Sequence, residues 1–297
     1  MKYNDLKTII SIPVQEKMEF KSLIKKYRGQ LISTPSQTVE RVFIEYKKKI
    51  ESVRETRDIS NLIQFLREAA YRSFLVEEAE FNVAILKHIT ENLETPSEIY
   101  SVLVREKLNL HSPEGEIVEQ IKSICGEYAG RISPYIYELC LSNTQSRRSR
   151  AGKTFEAIIY KMYEAFDYEF SSQKQVGKAT FEDKGLGKIV DSLLPNIQAF
   201  DDRRDKVIIG TMKTTLRERW QEVIEELQRT GLPSIHLLTM DDNISKSKAE
   251  QMGRHNVIIV VHKDVKQAPH LREKRNIVSF ETYFLEEIPE TMRYWNR

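Results

Sequence analysis

Two short apolar runs each deliver one charged residue, and together those charges define a chemistry. Lys188-Ile-Val-Asp-Ser-Leu-Leu-Pro195 carries a single acid, Asp191, and Lys206-Val-Ile-Ile-Gly-Thr-Met212 leads directly into Lys213. Such runs read as buried strands, the second bringing its lysine to the mouth of a sheet. Hydrolysing a phosphodiester needs a metal to polarise the phosphate and generate hydroxide, with a cation near the attacking water. Hard oxygen ligands suit Mg²⁺. Asp191 and Lys213 on neighbouring strands are the skeleton of a metal-dependent nuclease. The usual pattern puts a second acid two residues before the lysine, but that position holds Thr211.

A helix expected after Lys213 offers a replacement. Thr214 or Thr215 can cap it, and Leu216, Trp220, Val223, Ile224 and Leu227 fall at helical spacing. Glu226 lies two turns beyond Arg219 on the same face, from which a carboxylate could be aimed back at a metal. The commoner arrangement for such a helix is a solvated face on which Glu222, Glu225 and Glu226 pair with arginines. A lone acid in an apolar strand is likewise more often a satisfied structural group than a ligand. The six histidines offer no metal spacing, and His236 and His262 read as packing residues in or beside strands.

The elements that would position these residues divide by period. Up to about residue 140 the apolar positions recur three and four apart, as in Asn61–Tyr71 and Phe81–Ile89, and Thr95-Pro-Ser-Glu98 signals a helix entry. No run there alternates like a strand. Residues 1–142 are therefore expected to form a mainly helical N-terminal domain. Ser142-Asn-Thr-Gln-Ser-Arg-Arg-Ser-Arg-Ala-Gly-Lys153 follows, polar and small, with Arg147, Arg148, Arg150 and Lys153. It reads either as a solvated, hinged linker or as a phosphate-gripping segment at the start of a helix. Thr154–Phe166 is an amphipathic helix with Glu156 in its first turns. Strands are then expected at 168–176, 188–195, 206–213, 234–240, 256–261 and 276–278, alternating later with helices at 215–230, 244–254 and 279–294. Residues 143–297 thus read as an α/β domain with a central mixed sheet.

Composition fits a globular enzyme that concentrates its positive charge locally: the 297 residues are 30% charged and 40% hydrophobic, with a net charge of only +2. No apolar run approaches a membrane span, and Met1–Lys7 lacks the apolar core of a signal peptide, so a cytoplasmic location is expected. Cys125 and Cys140 lack CxxC spacing and read as reduced structural thiols.

Asp191, Lys213, Arg217-Glu-Arg219 and Glu226, in that order, resemble the CCGG- and CCNGG-reading type II restriction endonucleases. These belong to the PD-(D/E)XK superfamily, in the subgroup whose second acid has moved from strand to helix. Ser149–Glu156 resembles the helix that opens their nuclease core, and Leu237–Met252 with Val257–Val261 resembles their late strand-helix-strand unit. The likeness covers roughly residues 145–297. Val190 stands where the superfamily name has proline.

The resemblance implies that Asp191 and Glu226 ligate Mg²⁺, that Glu156 assists the metal site, and that Lys213 positions or activates the attacking water. It makes Arg217, Glu218 and Arg219 base readers. Arginine donates two hydrogen bonds to guanine O6 and N7, and glutamate accepts from cytosine N4. The implied enzyme is a homodimer, or a higher oligomer, that cuts double-stranded DNA at a palindrome with a CCGG or CCNGG core. A·T outer pairs can flank that core, and the cut leaves 5′-overhangs. A cognate methyltransferase would protect the DNA of the prokaryotic host. The alternatives are a repair or junction-resolving nuclease on the same core and a non-catalytic DNA-binding regulator.

Overall fold

The structure is a computed structural model that describes residues 10–186, 189–217 and 219–296, the side chain of Arg219 excepted. Seven helices come first: α1 (Val14–Leu31), α2 (Pro35–Glu45), α3 (Lys47–Thr56), α4 (Ile59–Asn92), α5 (Glu94–Lys107), α6 (Glu114–Arg131) and α7 (Ser133–Ala165). Strands and helices then alternate: β1 (Ser171–Ser172), α8 (Gln173–Val176), α9 (Lys178–Asp183), β2 (Ser192–Leu194), α10 (Ile197–Asp202), β3 (Ile208–Lys213), α11 (Arg219–Thr230), β4 (Ile235–Thr239), α12 (Lys246–Arg254) and β5 (Val257–Val261). The chain ends with α13 (Lys263–Lys266), β6 (Ile277–Ser279), α14 (Phe280–Thr282), a π-helical turn at Tyr283–Glu287 and α15 (Ile288–Trp295). This is the expected α/β core with a helical N-terminal region. No described helix is long and apolar enough to cross a membrane.

The six strands form one mixed sheet in sequence order, β1, β2 and β3 antiparallel and β3 to β6 parallel. Its residues alternate between two cores, as the two-residue period of a strand requires. Ile208 and Met212 of β3, Leu238 of β4 and Val260 of β5 face one cluster. Ile209, Leu237, Ile259 and Val261 face the other, beneath α11 and α12. Burial on both faces is why these strands read as continuous apolar runs.

The chain divides into two compact units, but not at a single point. One comprises Met1–Thr34 with Arg72–Ser149, and the other Pro35–Tyr71 with Arg150–Arg297. The first unit packs around Phe20, Phe81, Ile85, Ile89, Tyr135 and Leu139. In the second, Val39, Val42, Ile50, Val53, Ile59, Ile63 and Leu66 pack with Phe155, Ile158, Ile159 and Met162 over one face of the sheet. Residues 35–71 thus cover the sheet, although their helical period alone groups them with the N-terminal helices. Each such side chain contributes roughly 1.5–3 kcal/mol by leaving water, which ties this segment to the core it covers.

The polar segment 142–153 does not start a helix, since α7 runs through it without a break. Its inner face is polar yet satisfied. Buried Asn143 donates to Asn82 at 2.8 Å and accepts from Arg28 at 2.9 Å, and the Arg147 guanidinium pairs with the buried carboxylate of Glu78. The expected strand at 168–176 is realised only as Ser171–Ser172. The Ser172 hydroxyl then accepts from Gln175 N and the Gln175 side chain accepts from Ser172 N, a capping box that starts α8. Cys125 and Cys140 are free thiols, and both are exposed rather than packed.

Candidate active site

β2 and β3 pair antiparallel with Ser192 opposite Gly210, and Asp191 N donates to Gly210 O at 2.8 Å just beyond that pair. A side chain at residue 210 would begin 2.5 Å from Ser192 Oγ. Glycine there allows the two strands to approach. The Asp191 carboxylate is held from β3: its Oδ2 accepts from Met212 N at 2.7 Å and from Thr211 Oγ1 at 3.3 Å. Thr211, in the position where the usual pattern has an acid, is thus a fully buried donor to the acid that is present. Lys213 Nζ lies 4.0 Å from the same oxygen, both side chains less than one-fifth exposed.

Glu156 reaches this pair from α7. Its carboxyl is raised to about 7, first by burial and then by the charge of Asp191, with Lys213 and Lys153 opposing. Burial also raises the Asp191 carboxyl, against the lowering effects of Lys213, the Met212 N–H and the Thr211 hydroxyl. One helical turn after Glu156, the Tyr160 hydroxyl donates to Asp191 O at 2.9 Å, its ring stacked on Phe170 with centroids 5.4 Å apart. Tyr160 was not singled out in the sequence. Its four-residue spacing from Glu156, which puts both on one helix face, is the signal that could have found it.

Two carboxylates therefore share a mostly buried site with one close lysine. The surplus of negative oxygen donors suits a hard divalent cation, which would relieve the repulsion between Glu156 and Asp191.

Glu226 stands apart from this group. On α11 its carboxylate accepts from Arg229 Nη2 at 2.6 Å and Nε at 3.0 Å, the helix-spaced pairing, while Glu222 and Glu225 are exposed. Among the described residues no group of three or more His, Cys, Asp or Glu could hold a metal. The structure brings together Asp191, Lys213 and Glu156, and does not bring Glu226 to them.

The helix after Lys213 begins at Arg219, later than a Thr214 or Thr215 cap would place it. Leu216 is fully buried, its N–H donates to Asp241 Oδ2 at 2.6 Å, and Arg217 turns into the left-handed region at φ +34°. That turn forbids a helix through residues 215–217. Arg217 is exposed. Glu218 and the Arg219 side chain lie outside the described residues.

Of the four basic residues expected to grip phosphate, Arg147 is engaged by Glu78 and Arg150 donates to Thr38 Oγ1 at 2.7 Å, while Arg148 and Lys153 are exposed. His262 caps α13 through Nδ1 and contacts Asn61 through Nε2, and His236 lies 3.3 Å from Glu287.

Comparison with known proteins extends the likeness well beyond residues 145–297. The family described as EcoRII C terminal matches residues 116–284. The type II restriction enzyme SsoII of Shigella sonnei is 32% identical over 280 residues, spanning 94% of this chain and 84% of the relative. Metal-depleted Ecl18kI in complex with uncleaved DNA superposes with a TM-score of 0.74 at 28% identity, over 94% of this chain and 86% of that one. The PspGI–substrate DNA complex shares the fold, with a TM-score of 0.58 at 16% identity over 89% and 94% of the two chains.

Proposed function

The chain belongs to the EcoRII C-terminal family and is a type II restriction endonuclease, a site-specific deoxyribonuclease, and from that premise we propose the following site, metal and target. It hydrolyses both strands of double-stranded DNA at a palindrome with a CCGG or CCNGG core, as a Mg²⁺-dependent homodimer of the PD-(D/E)XK superfamily. The observation that carries the reading is the mostly buried group of Asp191, Glu156 and Lys213, followed four residues after the lysine by the exposed Arg217.

Asp191 and Glu156 would hold the metal, and Glu226 would join them on leaving Arg229. Bound there, Mg²⁺ supplies charge neutralisation at the phosphate and acidifies water. The chain's own residues do the rest. Thr211 Oγ1 and Met212 N fix one Asp191 oxygen, leaving the other free to ligate. Tyr160 holds the main chain behind it. Lys213 orients the attacking water and offsets the charge that develops on the phosphate. Arg217, Glu218 and Arg219 read G·C pairs in the major groove, and Arg148 and Lys153 face phosphates. The uncleaved DNA bound in the Ecl18kI structure supports DNA as substrate. One site per strand of a palindrome calls for two subunits, and the host's DNA for protection by a methyltransferase in the same prokaryotic cytoplasm.

Digestion of a plasmid in Mg²⁺, with sequencing of the ends, tests this reading. Discrete fragments with 5′-overhangs from a CCGG or CCNGG core are expected. Smearing, or cutting confined to branched DNA, would refute it.

A further inference from the structure

β3 and β4 run parallel with Lys213 opposite Thr239, so the chain leaves both strands at the same edge of the sheet. Beyond β3 comes the turn that carries Arg217, and beyond β4 comes Asp241. The two Asp241 oxygens have separate tasks. Oδ1 accepts from Asn243 N at 3.0 Å and closes its own loop, while Oδ2 crosses to the neighbouring loop and accepts from Leu216 N at 2.6 Å. Asp241 N in turn donates to the hydroxyl of fully buried Thr239 at 3.1 Å, which fixes the loop's root to the strand.

Leu216 is therefore held twice, by its side chain in the core beneath α11 and by its N–H on Asp241. The next residue, Arg217, has φ +34°, a conformation that a residue with a side chain adopts only when its surroundings impose it. No described hydrogen bond or ion pair holds the exposed Arg217 side chain, and the main chain sets the direction in which that side chain leaves the turn. The constraint immediately before it is the Asp241–Leu216 bond.

We propose that Asp241 is a positioning residue for sequence reading, clamping the Leu216 main chain so that the turn presents Arg217 in the one direction from which it reads a base. The proposal rests on Arg217 being a base reader. In this role Asp241 acts through another residue's backbone and not on substrate or the reacting atoms. Its loss should therefore impair discrimination while leaving the phosphate-driven, sequence-independent part of binding in place.

The test is a double-mutant cycle of Asp241→Ala and Arg217→Lys, with affinity measured in Ca²⁺ at one salt concentration on CCGG- or CCNGG-containing duplex and on unrelated duplex. Asp241→Ala should lose roughly tenfold or more on the specific duplex, within the range of one lost base contact, and less than about twofold on unrelated DNA. In the Arg217→Lys background the same change should cost less than about threefold, because both substitutions disable one reader. Asp241→Asn keeps an acceptor for Leu216 N–H and should recover most of the loss. Equal loss in both backgrounds, or equal loss on both duplexes, would overturn the proposal. If Arg217→Lys weakens specific binding and Asp241→Ala does not, the clamp fails and the reading of Arg217 stands. If Arg217→Lys itself has no effect, the reading fails and takes the clamp with it. Amide exchange in the unaltered protein is independent of any variant's folding: Leu216 N–H should exchange far more slowly than Thr215 N–H, and equal rates would overturn the clamp.

Discussion

Replacing Glu156 with glutamine should change how stability depends on pH, by an amount that follows from the burial of its carboxyl and from the neighbouring charge of Asp191. The Glu156 carboxyl is raised from an ordinary 4.5 to about 7 by burial and by Asp191. A carboxyl with a folded pKa above its unfolded one binds its proton more tightly in the folded state. Its contribution is complete below about 4.5 and is lost as pH rises through about 7. The shift corresponds to at most about 3.5 kcal/mol, at about 1.4 kcal/mol per unit, and less if solvent reaches the group. Glu156→Gln keeps the shape and removes the ionisation. In urea denaturation with chelator present, the variant should exceed the parent in stability by a margin that grows about 2 kcal/mol between pH 5 and pH 8. The titration of other groups largely cancels in that difference. Saturating Mg²⁺ should narrow the margin at pH 8, because a cation between Glu156 and Asp191 stabilises the ionised pair. A margin of equal size at pH 5 and pH 8 would show that the Glu156 charge is neither desolvated nor crowded by Asp191, and would refute the reasoning for a cation there.

Asp191→Ala and Lys213→Ala should each lower the cleavage rate at least about a thousandfold while specific binding in Ca²⁺ remains, since they alter charge handling at the phosphate and not base contacts; loss of binding in parallel with rate would remove them from the catalytic group. Glu226→Ala should inactivate, with Glu225→Ala and Glu222→Ala active; normal cutting by Glu226→Ala would leave Glu226 as Arg229's helix partner and nothing more. Arg217→Lys keeps the charge but loses the planar fork that matches guanine. It should cost roughly 1–3 kcal/mol on the specific duplex at fixed salt and much less on unrelated DNA; unchanged specific affinity would make Arg217 a surface charge.

Much of the fold was legible because burial on two faces leaves a direct trace in composition. β3, β4 and β5 are runs of Ile, Leu, Val and Met with hardly a charge, and each was located to within about two residues. What could not be read is which core a helix faces. An amphipathic stripe such as Val39, Val42, Ile50 and Val53 reports that a helix covers something, not what it covers, so residues 35–71 were grouped with their sequence neighbours rather than with the sheet. The middle of α7 failed differently. Helical period is recognised through apolar residues, and here the inward Asn143 is paired by Arg28 and Asn82, while the exposed Arg147 reaches the buried carboxylate of Glu78. A satisfied polar stripe packs as an apolar one does, yet in composition it looks like a linker.

The site shows a sharper version of the same limit. Asp191 and Lys213 were legible because each is a charge in an apolar run, and Glu156 because it accompanies them in a known order. Tyr160 and Asp241 were not, although each holds a segment of the proposed site at hydrogen-bond distance. Both act on main chain: Tyr160 on the carbonyl of Asp191, Asp241 on the N–H of Leu216. Every residue except proline offers those same two groups. The partner's identity therefore leaves no mark in the sequence, and only the fold selects which carbonyl or N–H is met. Residues that do chemistry are constrained by type and spacing, so a sequence can announce them. The side chains that aim them through the backbone are constrained by position in space, and their importance has to be measured by what happens to the residue they aim.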